Sequence, residues 1–148
     1  MNKRYATQWI GQFAVASELA RRNYLVSLTL GNAPIRDMLC QSPSGKNFAI
    51  QVKSLRSKTN FPLQDSLINN KFSDLYLFLV YIPEDLSQSL EYFISSYDRF
   101  LRICKEEQKY WAEMEKLRAK PYAEWPNSIR YKTLLKSGTK NDWGALPR

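Results

Sequence analysis

The chain of 148 residues carries 22 lysines and arginines against 14 acidic residues, and it contains no histidine. Its length and its apolar content of 44% suffice for one domain with a hydrophobic core, so we predict a single domain over residues 1–148. The absence of histidine excludes Ser-His-Asp and Cys-His catalysts, histidine-ligated zinc sites and histidine-based nucleases.

The positive charge is concentrated in the first half of the chain. Residues 1–73 hold ten lysines and arginines against three acidic residues, whereas residues 74–148 hold twelve against eleven. Such an excess attracts polyanions, and neutralisation of phosphates drives non-specific nucleic-acid binding. The charge pattern therefore favours a nucleic acid as the partner, and the alternative is that the charge serves solubility alone.

Membrane segments and metal-binding cysteines are not expected. No apolar run approaches the ~20 residues of a membrane span, and no apolar segment follows the basic N-terminus as it would in a secretory signal. Cys40 and Cys104 fit no metal-ligand spacing, so we predict that both are reduced cysteines of the core. We expect a cytoplasmic location.

The first predicted element is a helix over residues 7–23. Apolar residues recur there at three- and four-residue spacing, and Thr7 is a candidate N-cap. Glu18 lies beside this apolar stripe. Taken alone, Glu18 would be a solvated side chain that pairs with Arg21 or Arg22.

Three strands are predicted next. Residues 24–30 are rich in β-forming residues and end at a Gly-Asn-Ala-Pro segment. Residues 34–41 and 46–53 flank a Ser-Pro-Ser-Gly cluster at 42–45, which predicts a hairpin.

The end of this hairpin brings together three polar side chains of different chemistry. Because strand side chains alternate between faces, Gln51 and Lys53 leave one face while Val52 packs on the other. Antiparallel pairing places Asp37, near the start of the first strand, beside the end of its partner. One carboxylate, one amide oxygen and one ammonium group would then converge.

The second half predicts two more strands and a long helix. Residues 74–83 form an almost continuous apolar run, which is typical of a strand buried on both faces, and residues 90–94 predict a shorter, more exposed strand. Ser95 or Ser96 would cap a helix that continues to about Leu117. The sum is a mixed sheet with helices on both sides.

The C-terminal part is predicted to be less regular. Pro121 and Pro126 interrupt the chain, residues 129–131 predict a short edge strand, and Trp143 and Leu146 would anchor the end of the chain by packing.

The order of helix, Asp-bearing strand, turn and Gln-x-Lys strand over about the first 80 residues resembles the PD-(D/E)XK nuclease superfamily. In that family an Asp opens one strand of a hairpin, and a Glu, Asp or sometimes Gln lies two residues before a Lys on the next. Asp37, Gln51 and Lys53 match these positions, and Glu18 matches a helical glutamate that precedes the hairpin. The resemblance implies an α/β fold with a restriction-endonuclease-like mixed β-sheet flanked by helices.

The resemblance also implies a site for Mg²⁺ or Mn²⁺. Asp37 would be the main ligand, joined by the side-chain oxygen of Gln51 and the backbone carbonyl of Val52. Lys53 would orient the attacking water or stabilise developing negative charge, and Glu18 would hold a water of the metal's hydration shell or a second ion. An amide binds a hard cation less well than a carboxylate, so we expect metal affinity to rise when DNA contributes a phosphate oxygen.

These inferences together predict a metal-dependent DNA endonuclease that hydrolyses phosphodiester bonds. Arg36, Arg56 and Lys58 are candidates for contacts with backbone phosphates, although a solvated loop would explain the last two as well. A homodimer or higher homo-oligomer is expected because symmetry-related sites can cut both strands of a duplex.

Several narrower or different functions stay open at this point. Length and the Gln variant resemble an intron-encoded homing endonuclease of this superfamily, and a restriction enzyme or a junction resolvase is an alternative. A second hypothesis is a DNA-binding module of the same fold that has lost catalysis. A third is an interaction domain with no role in nucleic-acid binding. The sequence does not distinguish DNA from RNA.

Overall fold

The computed structural model describes residues 2–30, 33–118 and 128–148. Its helices and strands follow one another in this order: α1 (Lys3–Ala20), β1 (Leu25–Leu28), β2 (Met38–Gln41), β3 (Asn47–Leu55), β4 (Phe61–Pro62), α2 (Asp65–Ile68), β5 (Leu75–Tyr81), β6 (Glu91–Ser96), α3 (Tyr97–Arg118), β7 (Ser128–Ile129), α4 (Tyr131–Lys136) and a final 3₁₀ turn (Trp143–Ala145).

The main sheet is mixed and has five strands in the order β1-β2-β3-β5-β6. β3 and β5 are parallel, and every other neighbouring pair is antiparallel. Parallel neighbours need a long crossover, which the chain supplies through β4 and α2 between them. β4 pairs with β7 in a separate two-stranded sheet. The α/β class and the mixed sheet flanked by helices are thus confirmed.

The two faces of the main sheet bury separate hydrophobic clusters. α1 covers one face, where Val15 and Leu19 pack with Ile50 of β3. α3 covers the other, where Phe100 and Ile103 join the second cluster. β5 contributes to both clusters through alternate residues, so the predicted two-sided burial of the 74–83 run is confirmed.

α1 begins earlier than its sequence pattern indicates. The side chain of Asn2 accepts a hydrogen bond from the Arg4 backbone N–H at 3.0 Å and is the N-cap. Thr7 lies inside the helix, where its hydroxyl donates to the Lys3 carbonyl at 2.8 Å. The prediction of Thr7 as the N-cap is therefore wrong, because Asn2 supplies the acceptor one turn earlier.

The buried face of α1 also differs from the apolar stripe in the sequence. Gly11, Gln12, Val15 and Leu19 are buried, whereas Phe13 is 56% exposed. A small residue and an amide thus take positions toward the sheet, and an aromatic ring faces solvent.

The remaining elements agree with the sequence in part. Ser96 accepts from the Arg99 backbone N–H at 3.4 Å at the start of α3, as predicted for one of two serines. The edge strand predicted over 129–131 is instead β7 followed directly by α4. Trp143 contacts aromatic rings of β5 and β6, and Leu146 is buried, so the C-terminal anchor is confirmed. Pro121, Pro126 and the Gly-Asn pair at 31–32 lie outside the described residues.

A buried ion pair joins α3 to Arg130, which lies between β7 and α4. Glu107 of α3 is 2% exposed, and its carboxylate accepts from Arg130 Nη2 at 2.9 Å, from Arg130 Nε at 3.0 Å and from the Thr133 hydroxyl. Burial alone would raise the pKa of Glu107, but the bonds from Arg130 and Thr133 outweigh it and lower that pKa.

Both cysteines are free and buried, as predicted. Burial raises the pKa of the Cys40 thiol and of the Cys104 thiol to about 12. Within the described ranges no helix has both the length and the apolar character needed to cross a membrane.

Candidate functional site

Asp37, Gln51 and Lys53 line one cleft of about 270 Å³. Gln51 and Lys53 alternate along β3 with Val52, which packs in the cluster beneath α1, so both polar side chains leave the other face of the strand. Asp37 immediately precedes β2, just beyond the pairing of Met38 with Ile50. The structure thus brings together the three side chains that the hairpin was expected to combine.

The backbone at Asp37 is fixed from two sides. Its N–H donates to the Ile50 carbonyl at 2.8 Å, and its carbonyl accepts from the Thr29 N–H at 3.1 Å. Just before it, Ile35 has a φ of 63°, which is unfavourable for a β-branched residue. Ile35 packs against a core cluster, and this packing holds the strained segment in place.

The Asp37 carboxylate takes the place of a backbone acceptor at the end of the pairing between β2 and β3. Its Oδ2 accepts from the backbone N–H of Val52 at 2.7 Å, beyond the point where β2 begins and can pair with β3. The same oxygen accepts from Gln51 Nε2 at 2.7 Å. The side chain therefore binds both the backbone and a side chain of the neighbouring strand.

The side-chain amide of Gln51 lies between the Asp37 carboxylate and the backbone carbonyl of Val52. Its amide nitrogen donates to Asp37 Oδ2 and lies 3.3 Å from the backbone carbonyl oxygen of Val52. Because both neighbours are acceptors, the NH₂ group and not the oxygen must face them. For Gln51 to act as an oxygen ligand beside Asp37, its amide would have to turn by about half a rotation.

The pKa of Asp37 and the pKa of Lys53 are each shifted in the direction that favours the neutral form of the group. Burial raises the pKa of Asp37, against the opposing effects of the Val52 N–H, the Lys53 charge and Gln51. Burial lowers the pKa of Lys53; Asp37 opposes this shift and Arg4 adds to it. A cation placed beside Asp37 would favour its ionised form.

Glu18 does not reach this cleft. Its two carboxylate oxygens lie 2.7 Å from Arg21 Nη1 and 2.5 Å from Arg22 Nη1. The hydrogen bond from Arg22 contributes most to the lowered pKa of Glu18. Glu18 is thus paired with two arginines of its own helix and is not among the residues that line the cleft, and its role at a metal site stays a prediction.

α1 instead contributes two glutamines that sequence reasoning missed. Gln8 and Gln12 line the cleft together with Tyr5 and Trp9. Gln12 is only 6% exposed, which is unusual for a glutamine. The available signal was the i, i+4 spacing of the two amides, which puts them on one side of the helix, inside a stretch otherwise rich in apolar residues.

The three cations predicted to contact phosphates lie outside this lining, in which the described charged residues are Asp37 and Lys53. Each of the three is partly engaged with a neighbour. Arg36 Nη2 lies 3.5 Å from Asp74, Arg56 Nε donates to the Thr7 hydroxyl at 2.9 Å, and Lys58 Nζ lies 3.1 Å from Glu91.

α1 is held against β3 at very short range. A methyl group placed on Gly11 would lie 1.8 Å from the hydroxyl oxygen of Ser54. That hydroxyl is buried and has no hydrogen-bond partner. Only glycine allows this approach of helix and strand, which both line the cleft.

Among the residues whose positions the structure gives, no group of three or more His, Cys, Asp or Glu side chains could hold a metal ion. The acidic donor in the cleft is Asp37, with amide and peptide oxygens beside it. Comparison with models of protein families, with curated proteins and with solved structures finds no significant match. Any function has to be inferred from the cleft itself.

Proposed function

We propose that this protein is a metal-dependent DNA endonuclease that hydrolyses phosphodiester bonds, with a mixed sheet arranged as in the restriction-endonuclease-like fold. The observation that carries the proposal is the meeting of Asp37, Gln51, Lys53 and the Val52 peptide in one cleft, at the point where β2 and β3 diverge. The parallel pairing of β3 with β5 beside this antiparallel hairpin is compatible with that fold.

The available donors suit a hard divalent cation. Asp37 would supply a carboxylate oxygen, Gln51 its amide oxygen after rotation, and Val52 its carbonyl oxygen, and Mg²⁺ or Mn²⁺ prefers such ligands. A bound ion would neutralise charge on the phosphate and acidify a water molecule. With one carboxylate, affinity for the ion alone should be low.

Lys53 is the residue of this chain best suited to handle the attacking water. It is half-buried, its pKa is lowered, and it shares the cleft with Asp37. From there its ammonium group would donate to the water or to a phosphate oxygen as negative charge develops. Gln8 and Gln12 offer further N–H donors to the same phosphate.

The positive charge of the chain supports a nucleic acid as the partner. The first half of the chain holds most of the positive excess, and no acidic residue occurs between residues 2 and 17. Cutting both strands of a duplex would be achieved most simply by a homodimer or higher homo-oligomer with symmetry-related sites.

A DNA-binding module without catalysis is the second candidate function. It is favoured by the hydrogen bond that the Gln51 amide donates to Asp37 Oδ2 and by its approach to the Val52 carbonyl, because this arrangement turns N–H groups toward the oxygens that would bind a cation. In that case the cleft would be a static polar network and would not bind a metal.

Cleavage of supercoiled plasmid and of a mixed pool of DNA structures, with Mg²⁺ or Mn²⁺, tests the proposal. We expect nicking that requires metal and is lost in Asp37→Asn and Lys53→Met. Lys46→Met is the matched control, since Lys46 is an exposed cation in the turn of the same hairpin.

Binding is measured in the same samples over a range of salt concentrations. Salt-dependent binding without cleavage by the wild type on the whole pool would favour the module. Neither binding nor cleavage would refute both candidates.

A further inference from the structure

Three aromatic side chains form a stripe along α1, beside the cleft. Tyr5, Trp9 and Phe13 follow one another at four-residue spacing and therefore share one side of the helix. Tyr5 is 60% exposed and Phe13 is 56% exposed. The rings of Trp9 and Phe13 stack with centroids 5.2 Å apart and an interplanar angle of 22°. We call these three residues the aromatic stripe.

The aromatic stripe is continuous with the cleft. Tyr5 and Trp9 line the cleft together with Asp37, Gln51 and Lys53. From Tyr5 to Phe13 the helix rises by about 12 Å, which is the length of three to four nucleotides at about 3.4 Å each. A ligand whose phosphate lay at Lys53 could therefore extend along the rings.

Positive charge surrounds the aromatic stripe. Lys3 and Arg4 are exposed at the start of α1, and the charge of Arg4 is close enough to affect Lys53. Arg56 is bound to the Thr7 hydroxyl, two residues along α1 from Tyr5 and from Trp9. Nucleic acid offers both phosphates for these cations and flat base faces for the rings.

We propose that the aromatic stripe stacks unpaired bases, so that the substrate is a nucleic acid with unpaired nucleotides next to the phosphate to be cut. This inference rests on the proposed function and specifies its substrate class. Bases inside an intact duplex are stacked on each other and cannot reach the rings. Junctions, flaps, mismatched segments and single strands expose bases that can.

Binding of three short oligonucleotides of equal length, in EDTA so that nothing is cut, tests the proposal. They are oligothymidylate, the corresponding abasic strand and a duplex. The abasic strand keeps every phosphate and lacks every base. We expect the wild type to bind oligothymidylate about tenfold or more tightly than the abasic strand.

Tyr5→Ala and Phe13→Ala should each reduce the ratio of oligothymidylate affinity to abasic-strand affinity about fivefold or more. The affinity for the abasic strand should stay unchanged. Leu25→Ala is the matched control, because Leu25 is an apolar side chain of β1 that is 68% exposed and lies outside the cleft lining. It should change neither affinity.

Equal affinity of the wild type for oligothymidylate and the abasic strand would overturn the stacking proposal, and binding to the duplex would then leave the endonuclease proposal standing. No binding to any of the three would refute both. Sedimentation velocity completes the test. If Phe13→Ala dissociates an oligomer without changing the affinity for oligothymidylate, the stripe contacts a second copy of this chain and the proposal is wrong.

Discussion

Replacing Gln51 with glutamate would put a second carboxylate against Asp37. In the wild type, Gln51 Nε2 donates to Asp37 Oδ2 at 2.7 Å, and this bond helps to keep a buried carboxylate ionised. Gln51→Glu has nearly the same shape but no donor at neutral pH. Two carboxylates would then face each other in a pocket where Gln51 is 7% exposed.

The size of the effect can be bounded. Loss of a hydrogen bond to a charged group costs about 1.5–3 kcal/mol. If one carboxyl takes up a proton instead, holding it at about pH 7.5 costs about 1.4 kcal/mol per pH unit above an ordinary value near 4.3, or about 4 kcal/mol. We therefore expect Gln51→Glu to lower the free energy of unfolding by about 2–4 kcal/mol at this pH without metal.

The sign of the pH dependence follows from linkage. The folded state of the variant raises the pKa of the carboxyl pair above its unfolded value. Stability relative to wild type should therefore be retained below about pH 4 and lost as pH rises through the folded pKa. Divalent cations should reverse the loss, because a second carboxylate strengthens the site, and a ligand at 100 times its Kd stabilises by about 2.7 kcal/mol.

Urea unfolding in EDTA or in excess Mn²⁺, at about pH 4 and about pH 7.5, measures the free energy of unfolding of wild type and variant. Gln41→Glu is the matched control, since Gln41 lies on β2 and its amide donates to the exposed Asn47 side chain, which can turn to donate in its place. Unchanged stability of Gln51→Glu in EDTA would refute the role assigned to the Gln51 amide. Absence of any Mn²⁺-induced stabilisation in this variant would refute the metal site.

Three further predictions concern stability and can be checked by the same denaturation. Gly11→Ala should cost about 2 kcal/mol or more through its clash with Ser54, whereas Gly144→Ala, whose added methyl would make only ordinary van der Waals contacts, should change stability by less than about 0.5 kcal/mol. Ser54→Ala should gain about 1 kcal/mol by removing an unpaired buried hydroxyl. Glu107→Ala should cost about 3–5 kcal/mol above about pH 5, and the difference from wild type should shrink as pH falls through the lowered pKa of Glu107. Glu18→Gln should cost less than about 1 kcal/mol, because its ion pairs are partly exposed to solvent, and should leave any metal-induced stabilisation unchanged.

The strands of the main sheet could be predicted from the sequence because each strand has its own local residue pattern. Five of the six predicted strands are the strands of the main sheet, although residues 34–37 do not join β2. Alternate residues of β3 face opposite sides of the sheet, as the pattern around Gln51 and Lys53 requires, and the hairpin geometry then carries Asp37 to the same cleft.

The side chains that α1 contributes to the cleft could not be predicted from a local residue pattern. The prediction for Glu18 rests on charge and on family resemblance, whereas the rotation of a helix about its axis depends on packing. Gly11 is the residue that sets this rotation, because α1 can approach β3 closely only where no side chain intervenes. That contact turns Gln12 toward the cleft and leaves Phe13 in solvent.

The same contact at Gly11 has a kinetic consequence. Because Gly11 has no side chain, α1 packs directly on the Ser54 side chain of β3, and Gln8, Gln12 and Gln51 line one cleft. A phosphate group that fits this cleft would enter it without an opening step. Association of the nucleic acid should then be limited by diffusion and charge and not by a conformational change of the protein. Its rate constant should fall steeply as the salt concentration rises.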